Sequence, residues 1–229
     1  MTTRKKKNVD AWSLPRVINF FDEQRSSTDD VYASEWLFLK DALWEGMRVL
    51  DVGCAQGGFA SVLGEHLRSF QYTGLDTSAD MIARAREKHP DHIFHELKAT
   101  GTSGVDHMSY DLVLVLGILH LHEHWRETLT FAWKHTAGAI LFDLRETPQP
   151  SIENSEVSFF KMDFNGGGDI YANTKLPYNI INSSEALHTV KLIMGDAKKI
   201  SHYGYINPVS ASAVGPISEV MANTYFVEK

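Results

Sequence analysis

Apolar residues in the middle of the chain alternate between short runs and a helical spacing. Runs of strand length occur at residues 49–52, 71–76, 92–97, 110–116 and 139–144, and segments with helical periodicity separate most of them. Strands that alternate with helices in this way predict a doubly wound α/β fold with a mostly parallel sheet. The run at 110–116 is almost continuously aliphatic, which is typical of a strand covered on both faces.

Two helical patterns precede this alternation, within residues 1–46, and Asp29 or Asp30 is expected to cap the second. After residue 150 the pattern becomes irregular. We expect an insertion at 151–182 that contains a hairpin between Val157 and Ile170, turning near its glycines.

A last helix is predicted at 184–194, followed by strands at 197–206 and 220–227. No helix separates these two strands, so they should pair antiparallel. The expected organisation is one domain, 1–229, and its four parts are a helical cap (1–46), a cofactor-binding core (47–150), a substrate lid (151–182) and the C-terminal part of the sheet (183–229).

Composition and charge narrow the class of protein. The net charge of −7 and the pI of about 5.9 argue against a nucleic-acid partner, because phosphate binding needs clustered Lys and Arg. No apolar run approaches the roughly 20 residues of a spanning helix, and the N-terminus lacks the apolar core of a signal peptide. With a single cysteine, Cys54, the chain fits a reducing compartment. We expect a cytoplasmic protein without a membrane partner, either a monomer or a homodimer.

The first predicted strand is followed at once by a turn of small residues. Asp51 lies near the strand end, and glycine, cysteine and alanine fill residues 53–58 apart from one glutamine. Such a turn lets a ligand approach the backbone, and the helix that follows offers unpaired N–H groups. Asp76 ends the second strand roughly 20 residues later, where it could accept hydrogen bonds from the hydroxyls of a ribose. In an open parallel sheet both features face one crevice.

Two classes of cofactor would fit a glycine turn combined with an acid that binds a ribose, namely a dinucleotide and S-adenosylmethionine. Asp51 would place a negative charge near the phosphates of a dinucleotide, whereas a cationic amino group suits it better. Asp51-x-Gly53-x-Ala55-x-Gly57 resembles the first motif of the class I S-adenosylmethionine-dependent methyltransferases, with Ala55 where the middle glycine usually stands. The segments at 74–81 and 110–120 resemble the second and fourth motifs of that family.

This resemblance implies a seven-stranded sheet completed by the antiparallel C-terminal pair, with S-adenosylmethionine as the cofactor. It implies that the methionine part lies against the turn at 53–57, the ribose at Asp76, and the methyl-bearing sulfur beside the tip of the fourth strand. Lys98 stands where the family often carries an acid for adenine, so a backbone group is expected to bind the adenine. The expected cofactor contacts are Asp51, Gly53, Cys54, Ala55, Gly57, Asp76, Thr77, Met81, Lys98, Ala99, Leu116 and Gly117.

Methyl transfer from a sulfonium requires mainly alignment of the acceptor, because the cofactor carries the activation. If the acceptor is a hydroxyl, a neutral histidine could take its proton, and the candidates are His120 and then His122. These histidines alternate with His124 but lack an evident set of carboxylates, so we expect no metal site. The expected substrate contacts are Asp143, Arg145, Tyr171 and Tyr178, although Asp143 and Arg145 could equally form a structural ion pair.

The sequence therefore predicts a methyltransferase that acts on a small molecule, with O-methylation slightly favoured over N-methylation. One alternative is a protein that binds S-adenosylmethionine as a scaffold or sensor without catalysis. A second is an NAD-dependent reductase.

Overall fold

The computed structural model describes residues 12, 15–21, 25–97, 104–105, 107–161 and 175–229. Its centre is a sheet whose strands run in the order β3-β2-β1-β4-β5-β11-β9, and β8 pairs beside the end of β5. The strands are β1 (Arg48–Val52), β2 (Gln71–Asp76), β3 (Ile93–Glu96), β4 (Tyr110–Val115), β5 (Thr136–Thr147), β6 (Phe159–Lys161), β7 (Lys175–Pro177), β8 (Ile181–Asn182), β9 (Lys199–Pro208), β10 (Ala213–Val214) and β11 (Glu219–Glu228).

Strands β1 to β5 are parallel, whereas β11 lies antiparallel between β5 and β9. The predicted doubly wound sheet of seven mostly parallel strands is therefore confirmed, as is the antiparallel pairing of the two C-terminal strands. The strand order reverses at β1, whose neighbours are β2 and β4. A crevice at this switch point, beyond the carboxyl ends of the strands, is where such sheets bind ligands.

Helices cover both faces of the sheet. They are α1 (Pro15–Phe21), α2 (Ala33–Ala42), α3 (Gly58–His66), α4 (Ala79–Lys88), α5 (Trp125–Lys134) and α6 (Ser183–Ile193). Successive residues of a strand point to opposite faces, so Val49 joins the core under α2, α3 and α4 while Leu50 joins the core under α5 and α6. Strand β4 is buried on both faces, as its aliphatic sequence predicts.

The predicted cap of the second N-terminal helix is wrong. Residues Thr28–Asp30 form a short 3₁₀ turn of their own, and the Asp30 carboxylate accepts the backbone N–H groups of Ser26 and Ser27. Helix α2 begins afterwards, with Tyr32 at its N-cap. The N-cap of the 3₁₀ turn is Ser27, and Asp30 is the third residue of the turn, whose carboxylate reaches back to the cap. The sequence alone does not distinguish this arrangement from an aspartate that caps an α-helix, which explains the error.

A small three-stranded sheet stands beside the central one, in the order β10-β6-β7. Its strands β6 and β7 pair antiparallel inside the predicted insertion, but the return strand begins at Lys175 instead of ending at Ile170. The predicted turn of this hairpin lies outside the described residues. The third strand, β10, comes from the C-terminal region. The sequence did not indicate this strand, because a strand of two residues is too short to show a periodic pattern. The division into cap, core, lid and C-terminal part stays a prediction.

Within the described ranges, no helix combines the length and the apolar character needed to cross a membrane.

Candidate functional site

The turn after β1 is held by a left-handed backbone at three positions. Gly53, Ala55 and Gly57 have φ angles of 83°, 45° and 79°. A Cβ on Gly53 would lie 2.8 Å from a side-chain carbon of Ile118. A glycine at this position therefore leaves space for the loop after β4, in addition to any ligand. The backbone N–H groups of Gly53 and Cys54 both donate to the carbonyl of Leu75, at 2.7 and 2.9 Å, which ties the turn to β2.

Ala55 keeps this conformation although it carries a Cβ, and a left-handed residue of this kind costs roughly 1–2 kcal/mol. Its N–H donates to Asp76 Oδ2 at 3.0 Å, and Ser78 N–H donates to Asp76 Oδ1 at 2.9 Å. Burial raises the pKa of Asp76, and these N–H groups oppose the rise. A carboxylate has about four lone-pair positions, and the Thr77 N–H also donates to Asp76, so Asp76 retains capacity for about one ligand hydroxyl.

Asp51 is buried beneath the turn and lines the cavity described below. The Tyr72 hydroxyl donates to its Oδ2 at 2.5 Å. Burial raises the pKa of Asp51 to about 6, while the hydrogen bond from Tyr72 and the charge of Arg25 act to lower it. At neutral pH the Asp51 carboxyl group is therefore mostly ionised, which places a negative charge near the start of the turn.

Cys54 is packed and unreactive in this structure. Burial raises the pKa of its thiol well above the ordinary value, and Asp76 and Asp51 raise it further. Its Sγ would lie 2.7 Å from a Cβ on Gly74, so the glycine of β2 makes room for the thiol. A thiol with a raised pKa is a poor nucleophile, which agrees with a packing role.

Arg25 is a site residue that the sequence analysis missed. Its guanidinium lies over the rings of Tyr32 and Phe59, at 5.2 and 5.6 Å from their centroids, and its Nη2 is 3.2 Å from Glu35 Oε1. The same Nη2 would be 3.5 Å from a Cβ on Gly117, which places the charge at the tip of β4.

Glu35, the partner of Arg25, is completely buried. Burial raises the pKa of Glu35 to about 7, against the lowering effect of Arg25. Near neutral pH Glu35 therefore compensates the Arg25 cation only in part, and the charges of Asp143 and Asp51 also act on this cation. No spacing in the sequence indicates this pair, because Arg25 lies in a non-repetitive segment before α2.

The tips of β4 and β5 meet through Asp143. Gly117 N–H donates to Asp143 Oδ1 at 2.5 Å, and Arg145 Nη1 lies 2.5 Å from Asp143 Oδ2. Burial opposes ionisation of Asp143, but Arg145, His120 and the Gly117 N–H together lower its pKa. The predicted pair of Asp143 and Arg145 thus exists, and Arg145 faces the cavity while Asp143 lies behind its wall.

His120 lies in a 3₁₀ turn, Leu119–Leu121, directly after β4. It is buried, its Nδ1 is 4.0 Å from Asp143 Oδ2, and within the described chain this nitrogen has no hydrogen-bond partner. Burial and then the charge of Arg145 lower the pKa of His120 to about 3. The ring of Tyr178 packs edge-on against it at 5.5 Å. His120 is therefore a neutral imidazole at the cavity.

His122 is half-buried on the same wall, and its Nε2 is 3.2 Å from the hydroxyl of Thr128. Burial lowers the pKa of His122 as well. In the described residues no group of three or more His, Cys, Asp or Glu side chains is placed to hold a metal ion.

These elements enclose one cavity of about 530 Å³ that runs from the glycine turn to Tyr178 and Val220. Its size lies within the range of small-molecule and cofactor sites. It brings together most of the predicted residues, namely Asp51, Gly53, Cys54, Ala55, Asp76, Thr77, Met81, Leu116, Gly117, His120, His122, Arg145 and Tyr178. Gly57 instead faces Phe94, which would be 2.9 Å from its Cβ. Lys98, Ala99 and Tyr171 lie outside the described residues.

The rest of the wall is mainly apolar, and its residues are not among the expected cofactor, catalytic or substrate contacts. It includes Trp12, Phe20, Phe21, Phe59, Ile118, Leu121, Phe160 and Val220. The N-terminal aromatics belong to α1 and its surroundings, and Phe160 and Tyr178 come from the small sheet and the segment after it. The predicted insertion therefore contributes directly to the cavity.

Residues 50–138 match a protein-family model described as a methyltransferase domain. Over 85 residues the chain is 35% identical to a trans-aconitate 2-methyltransferase of Rhodopseudomonas palustris, a stretch that covers 37% of this chain and 31% of that protein. Over 45 residues it is 51% identical to a fatty-acid O-methyltransferase of Mycolicibacterium smegmatis, covering 20% of this chain and 16% of that protein. The matches thus span less than a third of the length of either relative.

Solved structures resemble the whole fold at low sequence identity. The N-terminal domain of EvdMO1, solved with SAH bound, has a TM-score of 0.58 at 12% identity, over 83% of this chain and 77% of that one. An S-adenosylmethionine-dependent methyltransferase from Clostridium acetobutylicum has a TM-score of 0.53 at 11% identity, over 87% and 93% of the two chains. The architecture is shared, although the sequences have diverged widely.

Proposed function

We propose that this chain, which belongs to the class I S-adenosylmethionine-dependent methyltransferase superfamily by its fold, transfers a methyl group from S-adenosylmethionine to an oxygen of a small molecule. The observation that carries the proposal is the joint placement of the glycine turn, Asp76 and the tip of β4 on one cavity. The family match over residues 50–138 covers this same region.

The chain's own residues fit the ribose and the two charged groups of the methionine part. Asp76 is positioned for the ribose, because both of its oxygens are fixed by backbone N–H groups and about one lone-pair position remains. Arg25 is positioned for the carboxylate of the methionine part, because its guanidinium lies against Gly117. Asp51 offers an anion for the methionine amino group. When bound, the cofactor supplies a methyl group on a cationic sulfur.

Oxygen suits the acceptor better than nitrogen in this cavity. Arg145 faces the cavity, and Asp143, which would attract a protonated amine, lies behind the wall with its oxygens engaged by Gly117 and Arg145. A protonated amine would therefore meet a like charge first. The names of the two relatives, a trans-aconitate 2-methyltransferase and a fatty-acid O-methyltransferase, support a small-molecule acceptor.

A thermal-shift measurement with S-adenosylhomocysteine and NADH tests the cofactor. At about 100 times its dissociation constant, a ligand of the folded state stabilises by roughly 2.7 kcal/mol, which raises Tm by about 5–10 °C in a chain of this size. We expect this shift with S-adenosylhomocysteine and none with NADH. The opposite pattern would contradict the proposal and favour the reductase.

His120 should stay uncharged throughout the physiological range, since burial and Arg145 lower its pKa to about 3. The unfolded ring takes up a proton near pH 6.5. The contribution of the buried neutral ring to stability is therefore present above pH 6.5 and is lost as the pH falls towards 3.

Nitrogen-15 NMR of the imidazole groups checks this expectation, with His120→Asn used to assign the signal. We expect the His120 signal to remain that of a neutral ring from pH 8 to pH 5. Half-protonation above pH 6 would support the predicted role as a general base, which needs a pKa near the working pH. The matching role of His122 stays a prediction.

A further inference from the structure

Arg145 is the charged side chain that the cavity presents on its acceptor side. Only 15% of its side chain is exposed, it reaches the cavity from the end of β5, and Asp143 holds one of its nitrogens. Its guanidinium also hydrogen-bonds the side chain of Tyr178. A guanidinium has five N–H donors in a planar fork, so donors remain for a ligand beyond these two described partners.

Besides its ion-pair partner Asp143, the described charged groups that lie within electrostatic reach of Arg145 and its neighbours are Arg25 and Glu35. Arg25, the second cation of the cavity, lies on the cofactor side with Glu35. The apolar residues that pack with Tyr178 on this part of the wall are Leu121, Phe160 and Val220, and the lining also includes Asn207 and Ser210. A ligand that satisfies this half of the cavity therefore has one anionic group and an apolar body.

We propose that the acceptor is an apolar monocarboxylic acid whose carboxylate is held by Arg145 and Tyr178 and whose body packs on Leu121, Phe160 and Val220. This inference rests on the proposed function and names its substrate class. A carboxylate with several charges, such as a tricarboxylate, lacks additional cations on this wall. The product is the methyl ester.

The reaction balances without a base. A lone pair of the free carboxylate oxygen forms the new bond to the methyl carbon, and the carbon–sulfur bond breaks with its electron pair going to sulfur. No proton is released, because the acceptor is already ionised near pH 7. A general base is then not needed, which agrees with the pKa of His120, lowered to about 3 by burial and Arg145.

Calorimetry on the full chain saturated with S-adenosylhomocysteine tests the inference. The probes are octanoate, 1-octanol and octylamine, which share a chain length and differ in charge, and trans-aconitate as a polycarboxylate. We expect octanoate to bind about 10- to 100-fold more tightly than octanol, as one charge-assisted hydrogen bond from Arg145 implies. Octylamine and trans-aconitate should bind more weakly than octanoate.

Two variants locate the contact. Arg145→Gln should reduce octanoate affinity about 10- to 100-fold and leave octanol affinity unchanged, and Arg145→Lys should retain part of the preference because it keeps the charge. The affinity for S-adenosylhomocysteine and the Tm of each variant are measured alongside, so a folding defect is recognised. With labelled S-adenosylmethionine, the expected product is methyl octanoate.

The outcomes separate the two proposals. If S-adenosylhomocysteine does not bind, the proposed function fails. If it binds but octanoate and octanol bind equally, or Arg145→Gln keeps the preference, the assignment of the acceptor is overturned while the proposed function stands. Tighter binding of trans-aconitate than of octanoate would overturn the restriction to monocarboxylates.

Discussion

Asp76→Ala is expected to weaken the binding of S-adenosylhomocysteine by about 10- to 100-fold. A charge-assisted hydrogen bond to a ribose hydroxyl contributes roughly 1.5–3 kcal/mol, which corresponds to this factor. The substitution also removes the acceptor of the Ala55 N–H, so the strained turn loses one of its ties to β2. Isothermal titration calorimetry measures the change.

Glu96→Ala is the matched control for this experiment. Glu96 pairs with Asp76 in the register of β2 and β3 and also ends its strand, but it is exposed and does not line the cavity. We expect its removal to leave affinity within a factor of two. If Asp76→Ala bound the ligand with unchanged affinity while keeping its Tm, the assignment of the ribose site would be wrong.

The half of the site formed by β1, β2 and the turn could be predicted because local rules determine it. Strand, turn and helix follow one another without interruption from Arg48 to His66, and an acid at the end of β2 must face the same crevice as the turn. The reason for Gly53 could not be predicted, since its neighbour Ile118 is distant in the sequence.

Arg25 and strand β10 are positioned by long-range packing and had no local signal. Arg25 is placed by two aromatic rings and by Glu35, a residue that would be classed as exposed from its helix alone. Strand β10 completes the small sheet from residues 213–214, far along the chain from β6. In both cases the residues in contact are not linked by any periodic pattern in the sequence. The acceptor side of the cavity was therefore less well predicted than the cofactor side.

Asp143 connects the cofactor side of the cavity with the acceptor side. Its carboxylate contacts Gly117 at the tip of β4 and Arg145 at the end of β5. Its buried oxygens accept the Gly117 N–H and hold Arg145, and its charge also acts on Arg25 and His120. Removing one partner of a buried ion pair leaves an uncompensated charge. The stability of the fold and the position of the Arg145 guanidinium therefore both depend on Asp143.

Asp143→Ala is expected to reduce the free energy of unfolding by about 3–5 kcal/mol at pH 7, with Tm lowered by roughly 6–20 °C. Asp143→Asn keeps the size and an oxygen for the Gly117 N–H, so it isolates the loss of charge and should cost less. Because the pKa of Asp143 is lowered in the fold, its contribution is present above pH 4 and is lost as the pH falls through the folded-state pKa. The difference between Asp143→Asn and the parent chain should accordingly shrink in acid.

Asp111→Asn is the control for these urea and thermal unfolding measurements. Asp111 also pairs with an arginine at the end of a strand, Arg48, at 3.2 Å, but 46% of the Arg48 side chain is exposed, and such surface pairs contribute at most about 1 kcal/mol. An Asp143→Asn variant as stable as the parent would mean that Arg145 finds another anion. If that variant also kept the preference for octanoate over octanol, Asp143 would not be what positions Arg145. A stable variant that loses the preference would assign Asp143 to positioning alone, because the cation would then be present but wrongly oriented.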